Sequence, residues 1–303
     1  MNKFLHTVSI NIFNRTRFIL PILAAICLSA FAISCTSSKS GAPENNYAKF
    51  IPPQHIVFIG LDGWGGDYVT KANMPTVKRM ISEGAAGLKL RCIMPSNTFP
   101  NWAALFTGTP PANHNSENFP SIFTLVKNNG QEKKLALFYE AKELKTIVPA
   151  DIAENREILS NLESALSVAA YIKEIKPAFT AVVFNEPDSA GHNYRWGSKT
   201  YYDKLNELDG FIAVIEQAVK DAGIYNETVF VMSSDHGGTF WGHGYNIPRQ
   251  RKIPLVIYGR GIKENYTISA NRSICDIAPT MAAILGLKIP AEWTGQPIME
   301  IFK

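Results

Sequence analysis

The sequence predicts an α/β protein with a mainly parallel central sheet and helices on both faces. Three observations point there. Short β-branched runs alternate with amphipathic runs from residue 54 onward. Several of the β-like runs stop abruptly at acids and histidines beside glycine, as strands do where open α/β sheets place their chemistry. With 46% hydrophobic and 18% charged residues, a chain of 303 residues has enough apolar side chains for a large core.

At the amino terminus, Lys3, Arg15 and Arg17 precede an apolar stretch from Phe18 to Ile33. That stretch is short for a membrane span, so residues 1–34 are expected to be an export signal. The segment Ala32-Ile33-Ser34-Cys35 resembles the lipobox of bacterial lipoproteins, in which the cysteine is lipidated and becomes the first residue. Cys35 is then a lipid anchor at the bacterial cell envelope; a soluble secreted protein cut nearby and a retained signal anchor are the alternatives. Residues 35–53, rich in Ser, Lys, Gly, Pro and Asn, suit a tether. The folded domain is expected over residues 54–303.

Within that domain, Ile56 to Leu61, Leu135 to Tyr139, Ala178 to Phe184, Thr228 to Ser233 and Leu255 to Tyr258 have the character of buried strands. Met74 to Ser82, Pro100 to Phe106, Leu162 to Ile175, Tyr201 to Ala222 and Ile277 to Leu285 have helical spacing. Pro75 suits a first helical turn, and Gly84, Gly223 and Gly286 suit carboxyl-terminal caps. Residues 113–158 are mostly polar and weakly periodic, and leave room for a small cap over the site.

Removal of residues 1–34 takes away three basic residues and no acidic ones, so 30 basic against 26 acidic becomes 27 against 26. A nearly neutral mature chain gives nucleic-acid binding no electrostatic support. Of its cysteines only Cys92 and Cys275 are available to pair in an oxidising compartment, which excludes a disulfide framework.

Asp62, Asp188 and Asp235 lie directly after apolar runs, which puts their carboxylates at the carboxyl edge of the sheet. Each alone reads as the N-cap of a following helix. The histidines change that balance: His192, His236 and His243 fall at the same edges. Imidazole plus carboxylate with one hydroxyl is a donor set for Zn²⁺ or Mn²⁺, and the inventory suits two divalent ions. Thr98 supplies the hydroxyl, just before a helix expected to start at Pro100, where free amides and the helix dipole favour an anion. Its other reading is a plain helix cap. Phe99, Trp102, Tyr194, Trp196, Trp241 and Tyr245 lie near these runs, as substrate-stacking residues or as core and rim.

Six segments in order, Leu61-Asp62-Gly63, Asn97-Thr98-Phe99-Pro100-Asn101, Glu186-Pro187-Asp188 with Gly191-His192, Ser234-Asp235-His236-Gly237, Gly242-His243-Gly244 and Asp276-Ile277-Ala278-Pro279-Thr280, carry a resemblance. The chain resembles the alkaline phosphatase superfamily, most closely its type I phosphodiesterase/nucleotide pyrophosphatase branch. The resemblance implies an alkaline phosphatase-like fold and two zinc ions. Asp188, His192 and His243 would hold one, and Asp62, Asp235, His236 and the Thr98 hydroxyl the other. It further implies that Thr98 is the nucleophile and that water hydrolyses a phospho-threonine intermediate. Phe99 falls where the branch has a base-stacking phenylalanine. Asn118 falls one position from an asparagine that hydrogen-bonds a phosphate oxygen.

The function implied is an exported hydrolase that cleaves phosphodiester or pyrophosphate bonds in a small phosphate-ester substrate. A phosphomonoesterase or phosphonate hydrolase would use the same metal site. From another class, an inactive metal-binding surface lipoprotein would have kept the fold without the chemistry. The sulfatase branch fits poorly, because Cys92 lacks the proline and arginine that its modification motif requires.

Overall fold

A computed structural model describes residues 51–303, apart from 115–118, 131–132, 149–151, 153 and 159. The expected signal, the Cys35 anchor and nearly all of the tether lie outside the described residues, as does Asn118. In chain order the elements begin with β1 (His55–Leu61), α1 (Pro75–Ser82), β2 (Ala85–Arg91), α2 (Thr98–Thr107), α3 (Ile122–Asn128) and β3 (Leu135–Tyr139). There follow β4 (Glu154–Glu157), α4 (Asn161–Ile175), β5 (Phe179–Phe184), α5 (Asp188–Tyr194) and α6 (Lys199–Asp221). The chain closes with β6 (Thr228–Ser233), α7 (Pro248–Arg251), β7 (Lys252–Gly259), β8 (Tyr266–Thr267) and α8 (Ile277–Ile284).

The strands form one eight-stranded sheet in the order β4-β3-β5-β1-β6-β7-β2-β8. Pairing is parallel except along β7, which runs antiparallel to both β6 and β2. The expected mainly parallel α/β sheet is therefore what forms. Both faces are buried, and the period of two along each strand sorts side chains between two cores. Ile56 and Phe58 of β1 join Val229 and Val231 of β6 in one core, covered by α2, α3 and α8. Val57, Ile59 and Leu61 join Phe230 and Met232 in the other, covered by α1, α4 and α6. Near-continuous apolar runs are the sequence signature of strands covered twice.

The polar stretch 113–158 is not a separate body. Its described residues make α3, β3 and β4, the last two forming one edge of the sheet, and they belong to the same compact unit as the other described residues. α3 was illegible because it is short, its capping box Ser121 and Thr124 being the one local signal.

Strand β1 has β5 on one side and β6 on the other. Neighbouring parallel strands lie about 4.8 Å apart. The segments after Leu61, Phe184 and Ser233 therefore emerge side by side at one edge, which is how residues far apart in sequence come to share one site.

Gly223 and Gly286 each follow the residue that caps their helix, Ala222 and Leu285, at φ +73° and +66°, as the left-handed residue of a carboxyl-terminal cap should. Gly84 does not: its backbone is not left-handed, and it is required instead because a Cβ there would run into the carbonyl oxygens of Ile257 and Met80. Around Gly223 a Cβ would meet nothing within 4 Å. Gly84→Ala should therefore cost about 2–3 kcal/mol through overpacking, and Gly223→Ala about 1 kcal/mol through backbone strain alone. Urea unfolding of the two variants tests this; an equal or reversed order would contradict the close-approach argument.

Candidate metal centre

The three carboxylates and three imidazoles expected from the sequence converge in two groups. Asp188, His192 and His243 offer ligand atoms all within 4.8 Å of one another, and so do Asp62, Asp235 and His236. The groups adjoin, with His236 Nε2 4.0 Å from Asp188 Oδ1 and the His236 and His243 rings stacked at 3.7 Å. The second group is buried almost completely, whereas His192 lies open to solvent.

Each imidazole is tethered by Nδ1 to a backbone carbonyl: His192 to Trp241 (2.9 Å), His236 to Gly237 (2.9 Å) and His243 to Ser96 (2.8 Å). A carbonyl can only accept, so Nδ1 carries the proton and each Nε2 lone pair is left aimed into the site. That is the arrangement of histidines that bind metal through Nε2. The Nε2 atoms of His192 and His243 face one another at 3.1 Å, an approach that neutral rings with both Nδ1 atoms protonated tolerate poorly unless a cation lies between or beside them.

The carboxylates tell the same story. Asp62 Oδ2 accepts from Trp102 Nε1 (3.3 Å), and Asp235 Oδ1 accepts from Gly63 N–H (3.2 Å) and from the Ser234 hydroxyl (3.3 Å). The other oxygen of each, and Oδ1 of Asp188, is buried with no hydrogen-bond partner. A buried unsatisfied acceptor costs about 1–3 kcal/mol, and more when charged. His236 Nε2 lies 3.2 Å from Asp235 Oδ2 and 3.5 Å from Asp62 Oδ1, yet these approaches are not ion pairs, because burial keeps the ring neutral. Orphaned carboxylate oxygens facing imidazole lone pairs are what divalent cations would satisfy, so these residues fit such ions.

Burial pushes Asp62 well above the ordinary carboxyl range, and the charges of Asp235 and Asp188 push it further. Asp235 is raised by burial and then by Asp188. Asp188 is raised to about 6, by burial against an opposing contribution from His192. Burial lowers His236, helped by His243, and lowers His243 against the Ser96 carbonyl.

Thr98 is the first residue of α2, two residues earlier than the sequence suggested, and Asn97 occupies the cap position. Thr98 is therefore no cap. Its Oγ1 lies 3.2 Å from His236 Nε2, at the margin of the buried group. The Asn97 side chain makes no cap bond, which leaves the first-turn N–H groups of Thr98 and Phe99 without a side-chain acceptor from the cap. Nor are Asp62, Asp188 and Asp235 mere caps. Asp188 is the first residue of α5 behind Pro187, and Asp62 and Asp235 turn into the site.

Of the aromatic candidates, Trp102 and Trp196 are core: one supports Asp62, and the other donates to the Gly63 carbonyl at 3.0 Å. Phe99, Tyr194, Trp241 and Tyr245 are exposed at the rim. Sequence reasoning missed Ser96, which is fully buried. Besides holding His243, it accepts from Gly244 N–H through Oγ (3.0 Å) and donates to the Tyr245 carbonyl (3.2 Å). No sequence signal marks a residue that works largely through its carbonyl. Cys92 is buried away from this role, bonded to the Gln250 carbonyl, with its thiol pushed up to about 12 by burial; it and Cys275 are free thiols.

A family model described as type I phosphodiesterase / nucleotide pyrophosphatase matches residues 56–115 and 135–249. Among curated proteins, GPI ethanolamine phosphate transferase 1 of Emericella nidulans is 25% identical over 274 residues, covering 73% of this chain and 29% of that protein. The chain spans less than a third of the length of the curated relatives it matches. Among solved structures, human ectonucleotide pyrophosphatase/phosphodiesterase 5 superposes with a TM-score of 0.71 at 12% identity, over 82% of this chain and 100% of the other. The murine counterpart, an inactive threonine-to-alanine variant in complex with AMP, has a TM-score of 0.69 at 12% identity over the same shares.

A carboxyl raised to about 6 holds a proton in the metal-free fold that the unfolded chain loses near 4. Its contribution to stability is full below about pH 4 and lost as pH rises through about 6. Depressed imidazoles act in the opposite sense, costing stability as pH falls below about 6.5. A bound cation must displace the carboxyl proton but finds His236 and His243 already neutral. The rise in melting temperature produced by zinc should therefore grow between about pH 5 and pH 7. Thermal melts with chelator and with zinc at each pH check this, and a zinc effect independent of pH would contradict it.

Proposed function

The chain belongs to the type I phosphodiesterase / nucleotide pyrophosphatase family, and from that premise we propose that it is a two-metal hydrolase of phosphodiester or pyrophosphate bonds, with Thr98 as nucleophile. The observation that carries the reading is the position of the Thr98 hydroxyl, 3.2 Å from His236 Nε2 and at the amino end of α2. Asp188, His192 and His243 would hold one zinc ion, and Asp62, Asp235, His236 and Thr98 the other. Bound there, the ions would supply the charge that favours an ionised hydroxyl and offsets the charge gathering on the phosphoryl oxygens.

The residues of the chain do the rest. Thr98 Oγ1 forms the bond to phosphorus as the bond to the departing oxygen breaks, and water then cleaves the phospho-threonine ester and restores the hydroxyl. The first-turn amides of α2 face an incoming phosphate with the positive end of the helix dipole. Phe99, 41% exposed and next to Thr98, would stack on a base or another planar group of the substrate. The AMP held by the murine structural neighbour supports a nucleotide-like, phosphate-ester substrate. That all seven proposed ligands, scattered over residues 62 to 243, meet at one sheet edge speaks against an inactive surface protein. A transferase, as the name of the fungal relative describes, would share the first half of this reaction and differ in what accepts the phosphoryl group.

Thr98→Ala should lower zinc-dependent cleavage of a nitrophenyl phosphodiester at least about 10³-fold, with fold and most zinc binding kept. Unchanged turnover would rule out Thr98 as nucleophile. Higher activity on the matching monoester would move the chain to the phosphatase side, and product appearing on an added alcohol rather than on water would make it a transferase.

We propose too that the chain is exported and anchored at the cell envelope through Cys35, on the strength of the lipobox-like segment. Cys35→Ser should release the protein from the membrane fraction. Continued membrane association would favour a retained signal anchor.

A further inference from the structure

Beside Trp196 lies a cavity of about 240 Å³. The indole adjoins both the cavity and the metal centre: its ring lies 5.0 Å from that of His192 and 6.0 Å from that of His243, and it also lines the cavity. Lys71, Arg195 and Arg249 line the space, with Tyr202 and Thr239 among the other lining residues. The acid in the wall, Asp67, is engaged by Lys252 at 3.2 Å and lies 3.8 Å from Arg249 Nε. Lys71 and Arg195 form no ion pair or side-chain hydrogen bond among the described residues. Asp67 answers Arg249, which leaves the exposed Lys71 and Arg195 as cations on the same concave surface with no acid partner among the described residues, where like charges repel and an anion would be favoured.

Arg195 carries a second signal. It ends α5 at φ +79° and ψ +135°, a conformation that suits glycine and costs another residue about 1–3 kcal/mol. The turn is needed to bring Trp196 N–H to the Phe240 carbonyl at 2.8 Å, but glycine would make it without strain. The side chain at 195 thus occupies a place where the backbone alone would favour none.

We propose that this cavity is an anion subsite for a phosphate- or sulfate-like group, either a second anionic group on the substrate or a free oxyanion. Lys71 and Arg195 supply the charge, with Tyr202 and Thr239 as donors to the oxyanion's oxygens. Such contacts are charge-assisted and among the stronger polar contacts available. The kinetic arm of the test rests on the phosphodiesterase reading above; the binding arm does not.

The zinc-loaded protein is assayed on the nitrophenyl ester of thymidine 5′-phosphate with and without a 3′-phosphate, and intrinsic tryptophan fluorescence is titrated with sodium sulfate. The variants are Arg195→Gln, Arg195→Gly, Arg195→Lys and Lys71→Gln. If the anion belongs to the substrate, the 3′-phosphate lowers KM about tenfold in the wild type, and Arg195→Gln or Lys71→Gln removes that gain while kcat on the plain ester holds. If the anion is free, the two esters behave alike, but sulfate shifts the fluorescence of the wild type and Arg195→Lys and not of Arg195→Gln. Arg195→Gly separates charge from strain: it should melt at higher temperature and still lose the response. A response surviving in Arg195→Gly, or no difference between wild type and Arg195→Gln in either arm, overturns the proposal. Failure to cleave either ester would count against the phosphodiesterase reading alone, since the sulfate titration still decides the subsite.

Discussion

Three carboxylates at the ends of three adjacent strands set the terms for everything around them. Asp62, Asp188 and Asp235 are drawn together by the order β5-β1-β6, and the fold shields them from water as it does so. Burial works against the ionised form of all three, and neighbouring carboxylates add to it: Asp235 and Asp188 for Asp62, Asp188 for Asp235, and Glu186 for Asp188, against His192. Each keeps one oxygen buried without a partner. The sheet therefore builds a place where bound cations would offset both burial and repulsion, and the large apolar cores on its two faces hold that place together.

Holding it requires the loops to be locked to one another as well as to the strands. Trp64 N–H donates to Ser234 Oγ (2.9 Å) and Gly63 N–H to Asp235, which ties the segment after β1 to the one after β6. Ser96 ties the segment before α2 to the His243 loop from the other side. Trp196 pins α5 through the Gly63 carbonyl, and the Tyr201 hydroxyl donates to the same carbonyl at 3.0 Å. Most of these links run through backbone groups. Their geometry thus depends on the path of the chain more than on the identity of one partner.

That distinction explains what the sequence revealed and what it hid. The five long apolar runs announced themselves because strands covered on both faces have little choice of residue, and the six ligands because acids and imidazoles beside glycine at a strand end have few other uses. β2 escaped notice because Ala85–Arg91 mixes small residues with Lys89 and Arg91, and β8 because two residues carry no period. Gly84 looked like a helix cap, since proximity of another strand's carbonyl cannot be read along one chain. Whether Trp102 and Trp196 were substrate contacts or core stayed open for the same reason: nearness in sequence to a motif does not say which way an indole points.

The two ligand groups differ in one respect that bears on the proposed reaction. Asp62, Asp235 and His236 are shut in, with His236 and Asp235 at 0% exposure, whereas the side chains of His192 and Asp188 are 44% and 14% exposed. Thr98 stands at the margin of the closed group, and the open one faces solvent. A nucleophile is best kept where water cannot solvate and blunt its charge, and the second step needs water to arrive. Burial on the Thr98 side and exposure on the His192 side supply both conditions within one site. The difference comes from the chain: Asp62 follows β1 directly and only Ser234 separates Asp235 from β6, whereas Asn185, Glu186 and Pro187 lie between β5 and Asp188, the first residue of α5.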